Sequence, residues 1–215
     1  MRHYGPGMHA TGLPDETDSF LTPERVLTRD EVLARPSPVP RQGGVYGWWF
    51  NRLPPGLDAS RCRTSGGMTL LYTGISPKRP PSNGRAPSRG QLRQRLETHC
   101  TGNAEGSTLR KTLGCLLADD LGIQLRRVGS GSRRTFVEGE PLLSQCMSKH
   151  ALVSFVVRDH PWKLDDHLIE TLDVPLNLQG NSHNEFHRHL TAARARCMTA
   201  ANALPVVPNP RVGGR

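Results

Sequence analysis

Three short segments rich in β-branched and aromatic residues constrain the fold more than any other feature of the chain. They cover residues 44–50 (GVYGWWF), 69–75 (TLLYTGI) and 151–157 (ALVSFVV). Runs of this length and composition, bounded by Gly and Pro, are typical of buried strands. Helical patterns fill the chain between the second and third segments and after the third. This mixed order predicts an α+β fold with a small antiparallel sheet of about three strands, flanked by helices.

Apolar spacing and capping signals predict the helices. Thr28-Arg29-Asp30-Glu31 is a capping box, which predicts a short helix that ends near Ala34. Residues 124–137 predict a hairpin around a Gly-Ser turn. Further helices are predicted over residues 91–100, 107–119, 141–149, 162–172 and 185–203.

Proline and glycine divide the chain into three parts. A length of 215 residues suits one domain with appendages. Residues 1–42 are predicted to be a flexible N-terminal leader that contains the short helix and a Pro-rich linker, and residues 1–20 show no periodicity. Residues 43–203 are predicted to form the domain. Residues 204–215 are predicted to be a flexible tail.

The charge distribution points to a polyanionic partner. The net charge is +9, and residues 1–37 hold six acids and four Arg, so the rest of the chain carries about +11. A basic body is typical of proteins that bind nucleic acid, although solubility alone would also explain it. The five cysteines form no C-x-x-C pair, which argues against a disulfide framework or a zinc ribbon. No apolar run is long enough for a membrane span or signal peptide, so a reduced, cytoplasmic protein without membrane contact is expected.

Two tripeptides on the first two predicted strands carry a family resemblance. Gly44-Val45-Tyr46 and Tyr72-Thr73-Gly74 are similar to the paired signatures of GIY-YIG nucleases. Arg95 lies on a helix directly after the second strand, and Glu170 lies in a helix after the third, as the family's Arg and metal-binding Glu do. Pro175-Leu176-Asn177 then resembles the family's Pro-x-Asn end. The resemblance covers about residues 43–190.

The resemblance implies a metal-dependent endonuclease that hydrolyses phosphodiester bonds in DNA at a single-metal site. Glu170 would hold the cofactor, Mg²⁺ or Mn²⁺. A hard cation keeps most of its waters, so one carboxylate can suffice. The alternative is that Glu170 belongs to a solvated helix face beside Asp165 and Asp166.

The two tyrosines and a histidine would handle the proton. Tyr46 would be the general base or its relay, but a phenol titrates at about 10 and needs help. His99, one helical turn after Arg95, could lower the pKa of Tyr46 or accept its proton, and some restriction-type members of the family carry a similar His. Tyr72 would hydrogen-bond the nucleophile or the scissile phosphate. For either tyrosine, filling one side of a strand is the alternative.

Arg95 and an asparagine complete the implied site. Arg95 would contact the scissile phosphate through its planar fork of donors. Asn177 would hold the active-site backbone or support Glu170, with Asn181 and Asn184 as rivals.

The sequence departs from the family pattern in three places. Residues 51–68 are inserted between the strands, and Val45 and Thr73 replace the central Ile of each motif. Glu170 and Asn177 are only seven positions apart, which is shorter than in the DNA-repair members. Thr73 and the insertion motivate an alternative function, a non-catalytic nucleic-acid-binding module on the same fold.

Basic residues of two regions are predicted to bind DNA phosphates without reading sequence. Solvated loops are the alternative. A structural zinc site using His183, His187 and Cys197 is a further alternative. The preferred DNA, including branched or structured forms, and the oligomeric state stay open. The predicted phosphate-binding residues are Lys78, Arg79, Arg85, Arg89 and Arg93 in the first region and Arg126, Arg127, Arg133 and Arg134 in the second.

Overall fold

The computed structural model describes residues 13–83 and 88–209, so Arg85 lies outside the described residues. The chain order is α1 (Leu13–Leu21), α2 (Arg29–Leu33), β1 (Gly44–Phe50), β2 (Thr64–Ser65), β3 (Met68–Ser76), α3 (Leu92–Thr101), α4 (Thr108–Leu116), α5 (Ala118–Leu121), β4 (Arg126–Val128), β5 (Arg133–Thr135), α6 (Gly139–His150), β6 (Ala151–Val157), α7 (Trp162–Thr171) and α8 (His187–Ala203).

The main sheet confirms the predicted α+β class but has four strands instead of three. The strands lie in the order β2-β3-β1-β6, and all neighbours are antiparallel. The extra strand, β2, comes from the inserted segment, which the sequence analysis treated only as a break. Gly66 and Gly67 both have positive φ, at 55° and 75°, and turn the chain so that Thr64 pairs with Thr69. A Gly-Gly pair is a typical turn of a two-residue hairpin.

The central strand β1 is buried along its whole length because helices cover both faces of the sheet. Tyr46, Trp48 and Phe50 pack into the larger hydrophobic cluster, with residues of α3, α4 and α8. Val45 and Trp49 pack into a second cluster, which includes side chains of α1 and α7. Alternate residues of a strand point to opposite faces, which explains the two sets. This arrangement buries the first tyrosine of the motif at the centre of the domain.

The described part of the predicted leader packs against the domain. Residues 13–20 were expected to lack regular structure, but α1 covers them and Phe20 is buried. The predicted capping box is confirmed, since Thr28 Oγ1 accepts a hydrogen bond from the backbone N–H of Glu31. Leu27 exchanges two backbone hydrogen bonds with Val153 of β6, at 2.7 and 2.9 Å. Where the domain begins stays a prediction, and residues 1–12 lie outside the described residues.

The C-terminal segment 204–209 lies against the predicted hairpin, which β4 and β5 confirm. Val207 bridges to Val128 of β4, and the backbone N–H of Val207 donates to Arg127 O at 3.0 Å. Residues 210–215 of the predicted tail lie outside the described residues. No helix among those described has the length and apolar character needed to cross a membrane.

Candidate active site

Strands β1 and β3 bring the two motif tyrosines close together. Tyr46 pairs with Gly74 across the strands, and Tyr72 pairs with Trp48. A Cβ added at Gly74 would lie 2.5 Å from Tyr46 Oη, so the glycine of the second motif makes room for the tyrosine of the first. Both tyrosines are buried. Their backbone positions follow from the sheet register, which the two apolar strands fix.

Helix α3 adds two polar side chains to the tyrosines. Arg95 Nε donates to Tyr46 Oη at 3.2 Å, and Tyr46 Oη lies 2.8 Å from His99 Nε2. Arg95 also hydrogen-bonds Tyr72, and its Nη1 donates to the carbonyl of Gly106 at 2.9 Å. Arg95 and His99 share one face of α3 because they are four residues apart. We call Tyr46, Tyr72, Arg95 and His99 the tyrosine cluster.

Burial favours the uncharged forms of the two tyrosines and of His99. Burial is the largest cause that raises the pKa of both Tyr46 and Tyr72, and the Arg95 guanidinium opposes it. Burial, followed by the charges of Arg95 and Arg110, lowers the pKa of His99 well below 6.5. His99 is therefore a neutral imidazole that can accept a proton, and Tyr46 is a phenol that must lose its own proton before it can take another.

A carboxylate that the sequence analysis did not select lies next to the cluster. Asp165 of α7 lies near Thr73 of β3, whose side chain lowers the pKa of Asp165, and the charge of Asp165 raises the pKa of both Tyr46 and Tyr72. Burial and then the neighbouring Asp166 raise the pKa of Asp165 to about 7, while Arg79 opposes the shift. Within residues 13–83 and 88–209, Asp165 Oδ1 is buried without a hydrogen-bond partner.

Glu170 has no hydrogen bond or ion pair with the tyrosine cluster within the described ranges. It is exposed, and it lines a cavity of about 350 Å³ together with Asp173 and His183. Glu170 follows Asp165 by five positions in the helix, which places the two carboxylates about 140° apart around α7. Asp165 lies on the face of Leu164 and Leu168, which pack under the sheet. The amphipathic pattern of α7 was therefore a signal that could have identified Asp165 from the sequence.

Asn177 holds the backbone of the second motif. Its Oδ1 accepts a hydrogen bond from the backbone N–H of Thr73 at 2.9 Å, and its Nδ2 donates to the carbonyl of Thr73 at 3.0 Å. Asn181 supports the same turn, since its Nδ2 donates to the carbonyls of Val174 and Asn177. Asp165 precedes Asn177 by twelve positions, and Glu170 precedes it by seven.

The departure at Thr73 has a structural reason. Its hydroxyl accepts a hydrogen bond from Asn177 Nδ2 at 3.4 Å, and its side chain lowers the pKa of the nearby Asp165. An apolar residue at this position would remove both interactions. The polar side chain in the second motif therefore has a polar environment on α7 and at Asn177.

The residues present fit a hard divalent cation bound through one carboxylate. Asp165 presents a buried oxygen without a partner in the described structure, and a carboxylate oxygen is the ligand that Mg²⁺ prefers. Sites of three or more His, Cys, Asp or Glu side chains are absent from the described ranges. That finding leaves the alternative zinc site at His183, His187 and Cys197 without geometric support. A single-carboxylate site does not need such a group, since Mg²⁺ keeps most of its waters.

The predicted phosphate-binding residues of the first region differ in exposure and in whether they already have partners in the protein. Lys78, Arg79 and Arg89 are exposed, although Arg79 forms an ion pair with Asp166. Arg93 donates to the carbonyls of Val39 and Ser37, at 2.6 and 3.2 Å, and so ties the Pro-rich segment to α3.

The four arginines of β4 and β5 form what we call the arginine hairpin. Arg127 donates to Leu204 O at 2.8 Å, and Arg126 donates to Pro205 O at 3.2 Å. Arg134 donates to Asn202 Oδ1 at 3.0 Å, and Arg133 bonds the side chain of Asn209. These side chains attach the C-terminal segment to the hairpin, so DNA binding by them stays a prediction.

Comparison with known proteins identifies a family that the sequence matches. The family described as the GIY-YIG catalytic domain matches residues 44–196, well over half of the chain. No curated protein and no solved structure matches the sequence. The matched range begins at the first motif and contains the tyrosine cluster, Asp165 and Asn177. The chain therefore belongs to the GIY-YIG family.

Proposed function

We propose that this protein is a metal-dependent endonuclease that hydrolyses phosphodiester bonds in DNA, with Asp165 in place of Glu170 as the metal ligand. Membership of the GIY-YIG family supports nuclease chemistry in general. The observation that carries the finer proposal is the partnerless carboxylate oxygen of Asp165 beside two tyrosines that Arg95 and His99 contact. A basic body with a net charge of +9 supports a nucleic acid as substrate.

The side chains of the cluster can move one proton away from the attacking water. Tyr46 Oη takes a proton from the water while its own proton passes to His99 Nε2, 2.8 Å away. The hydroxide adds to phosphorus, the bond from phosphorus to the leaving oxygen breaks, and that oxygen takes a proton from solvent. A positioned base of this kind contributes about 10²- to 10⁴-fold in rate. The burial that raises the pKa of Tyr46 makes the acceptor His99 necessary.

Arg95 supplies positive charge at the point where negative charge grows. Its guanidinium already contacts both tyrosines, so a phosphate that reaches the tyrosine hydroxyls also reaches Arg95. When bound at Asp165, Mg²⁺ would supply charge neutralisation at the phosphate. Asn177 keeps the backbone of Thr73, and with it the partner of Asp165, in place.

The experiment that tests the proposal compares two carboxylates on the same helix. Wild type, Asp165→Asn and Glu170→Gln are incubated with supercoiled plasmid in Mg²⁺, in Mn²⁺ and in chelator. We expect nicking that needs the metal, a loss of on the order of 10²-fold or more in Asp165→Asn, and nearly full activity in Glu170→Gln. Loss of activity in Glu170→Gln with full activity in Asp165→Asn would overturn the metal assignment.

A binding measurement separates metal loss from other defects. Mg²⁺ should raise the melting temperature of wild type and of Glu170→Gln but not that of Asp165→Asn, because a ligand stabilises only the form that binds it. A protein that shifts DNA in a gel at low salt but never cleaves plasmid, branched or structured DNA would favour the non-catalytic binding module. The hydrogen bond from Asn177 Nδ2 to Thr73 Oγ1 gives the polar Thr73 a structural role, which supports the catalytic proposal over that alternative.

A further inference from the structure

A buried serine contacts the side of His99 that faces away from Tyr46. Ser107 is the residue before α4, its side chain is fully buried, and its Oγ lies 2.7 Å from His99 Nδ1. The two ring nitrogens of His99 are thus both occupied, Nε2 by Tyr46 and Nδ1 by Ser107. The role of each nitrogen depends on which of them carries the single proton of the neutral ring.

We infer that Ser107 is a positioning residue, which holds His99 in the tautomer with the proton on Nδ1 and so keeps Nε2 free to accept the proton of Tyr46. The tautomer is a property of the folded protein. Its catalytic consequence rests on the proposed nuclease function. Ser107 itself touches neither the reacting atoms nor the substrate in this scheme.

The hydrogen bonds of Tyr46 fit an acceptor at His99 Nε2. The guanidinium of Arg95 donates to Tyr46 Oη, at 3.2 Å from Nε, and can accept nothing in return. The other hydrogen-bond partner of Oη in the described structure is His99 Nε2, at 2.8 Å, so the hydroxyl hydrogen of Tyr46 is directed to that nitrogen when its lone pair is free. A proton on Nε2 would leave this hydroxyl hydrogen without an acceptor.

The hydrogen bonds of Ser107 fit a donor at His99 Nδ1. The backbone N–H of Arg110 donates to Ser107 Oγ at 3.1 Å, which is the capping bond of α4. The second lone pair of Oγ is then available for the proton on Nδ1. The side chain of Arg110 also connects α4 to His99. Its guanidinium forms a 2.7 Å ion pair with Glu140 and donates to the carbonyl of His99 at 3.3 Å.

The groups around His99 keep it neutral, so that only the tautomer is left to choose. From α3 and α4 it faces the positive charges of Arg95 and Arg110, which with burial lower the pKa of His99. From the sheet it faces Tyr46, Trp48 and Tyr72, with ring centroids at 5.3, 5.9 and 6.3 Å. The single proton of a neutral imidazole can lie on either nitrogen. A hydrogen-bond partner is therefore needed to fix which nitrogen carries it.

The test reads the tautomer directly. The ¹⁵N chemical shifts of the His99 ring in wild type should show a protonated Nδ1 and an unprotonated Nε2. In Ser107→Ala the Nδ1 proton loses its acceptor, and we expect a mixture of tautomers. Ser107→Thr keeps the hydroxyl and should restore the wild-type spectrum.

The kinetic arm uses a matched control for the lost helix cap. Ser107→Ala removes the cap of α4, so Thr28→Ala, which removes the cap of α2 and lies outside the cluster, serves as the control. We expect kcat for DNA cleavage to fall on the order of 10- to 100-fold in Ser107→Ala with KM little changed, as when an imidazole loses its orienting partner. Thr28→Ala should cleave like wild type.

Three results would overturn the inference. The first is a proton on Nε2 in wild type, which needs no variant to observe. The second is an unchanged tautomer in Ser107→Ala, and the third is equal loss of kcat in Ser107→Ala and Thr28→Ala. If wild type cleaves no DNA, the proposed function fails, while the ¹⁵N spectra still decide whether Ser107 positions His99.

Discussion

The tyrosine cluster and the arginine hairpin use polar side chains in opposite ways. In the cluster, a few buried groups contact one another, and one neighbouring carboxylate oxygen, on Asp165, has no partner in the described structure. In the hairpin, three of the four arginines hydrogen-bond the C-terminal segment 204–209, and the fourth, Arg134, hydrogen-bonds Asn202 of α8. The comparison teaches that the number of charges in a segment says little about ligand binding. The burial and the partners of each group say more.

The largest difference between the two regions should appear in cleavage. Tyr46→Phe removes the hydroxyl between Arg95 and His99, and we expect the rate of plasmid nicking to fall by about 10³-fold. Arg127→Ala should nick at the wild-type rate. Both variants are compared with wild type below their melting temperatures. Equal rates in wild type and Tyr46→Phe would remove the cluster from the chemistry and break the comparison.

The partly buried carboxylate of Asp165 should weaken the fold in the absence of metal. The pKa of Asp165 is raised from 3.8 to about 7, so the folded state holds this proton more tightly than the unfolded state does. Its contribution to stability is full below the unfolded pKa and is lost as the pH rises through about 7. In chelator at about pH 8, Asp165→Asn should be more stable than wild type by on the order of 3 kcal/mol.

Urea unfolding at about pH 4 and about pH 8 checks this expectation, since the difference between the two proteins should nearly vanish at the lower pH. Glu170→Gln is the matched control on the same helix, and its free energy of unfolding should stay close to that of wild type at both pH values. A pH-independent difference for Asp165→Asn would contradict the prediction.

The arginine hairpin should affect stability more than DNA binding. Arg127→Ala removes the bond to Leu204 O, and we expect a loss of about 1 kcal/mol in the free energy of unfolding. Its affinity for DNA should match that of wild type. A weakened affinity with unchanged stability would show that the hairpin, contrary to the comparison, serves the nucleic acid.

The smallest effect is expected at the exposed basic residues near the cluster. Lys78 and Arg89 make no hydrogen bond or ion pair within the part of the chain that the structure describes. Lys78→Ala and Arg89→Ala should each weaken DNA binding uniformly across sequences and reduce the slope of binding against salt by about 1. Melting temperatures should not change. Titrations at several salt concentrations with Arg127→Ala as the control measure this.

Local signals in the sequence were sufficient for most of the fold. The three apolar segments became β1, β3 and β6, and the capping box of Thr28 and Glu31 formed as predicted. The alternation of apolar side chains along a strand and the capping of a helix each involve only a few neighbouring residues. Both can therefore be identified without the rest of the molecule. Strand β2 was missed because residues 51–68 were interpreted only as an insertion between the strands, although Gly66 and Gly67 form a typical hairpin turn.

The sequence by itself determined the two motifs, the helix that carries Arg95 and His99, and the basic character of the chain. Only the tertiary structure decided that the charge of Asp165 acts on both tyrosines while Glu170 is exposed, and that Ser107 contacts His99. The physical reason is that burial and partnership depend on which elements pack together. A carboxylate gains a raised pKa and an imidazole gains a fixed tautomer only when distant parts of the chain surround it.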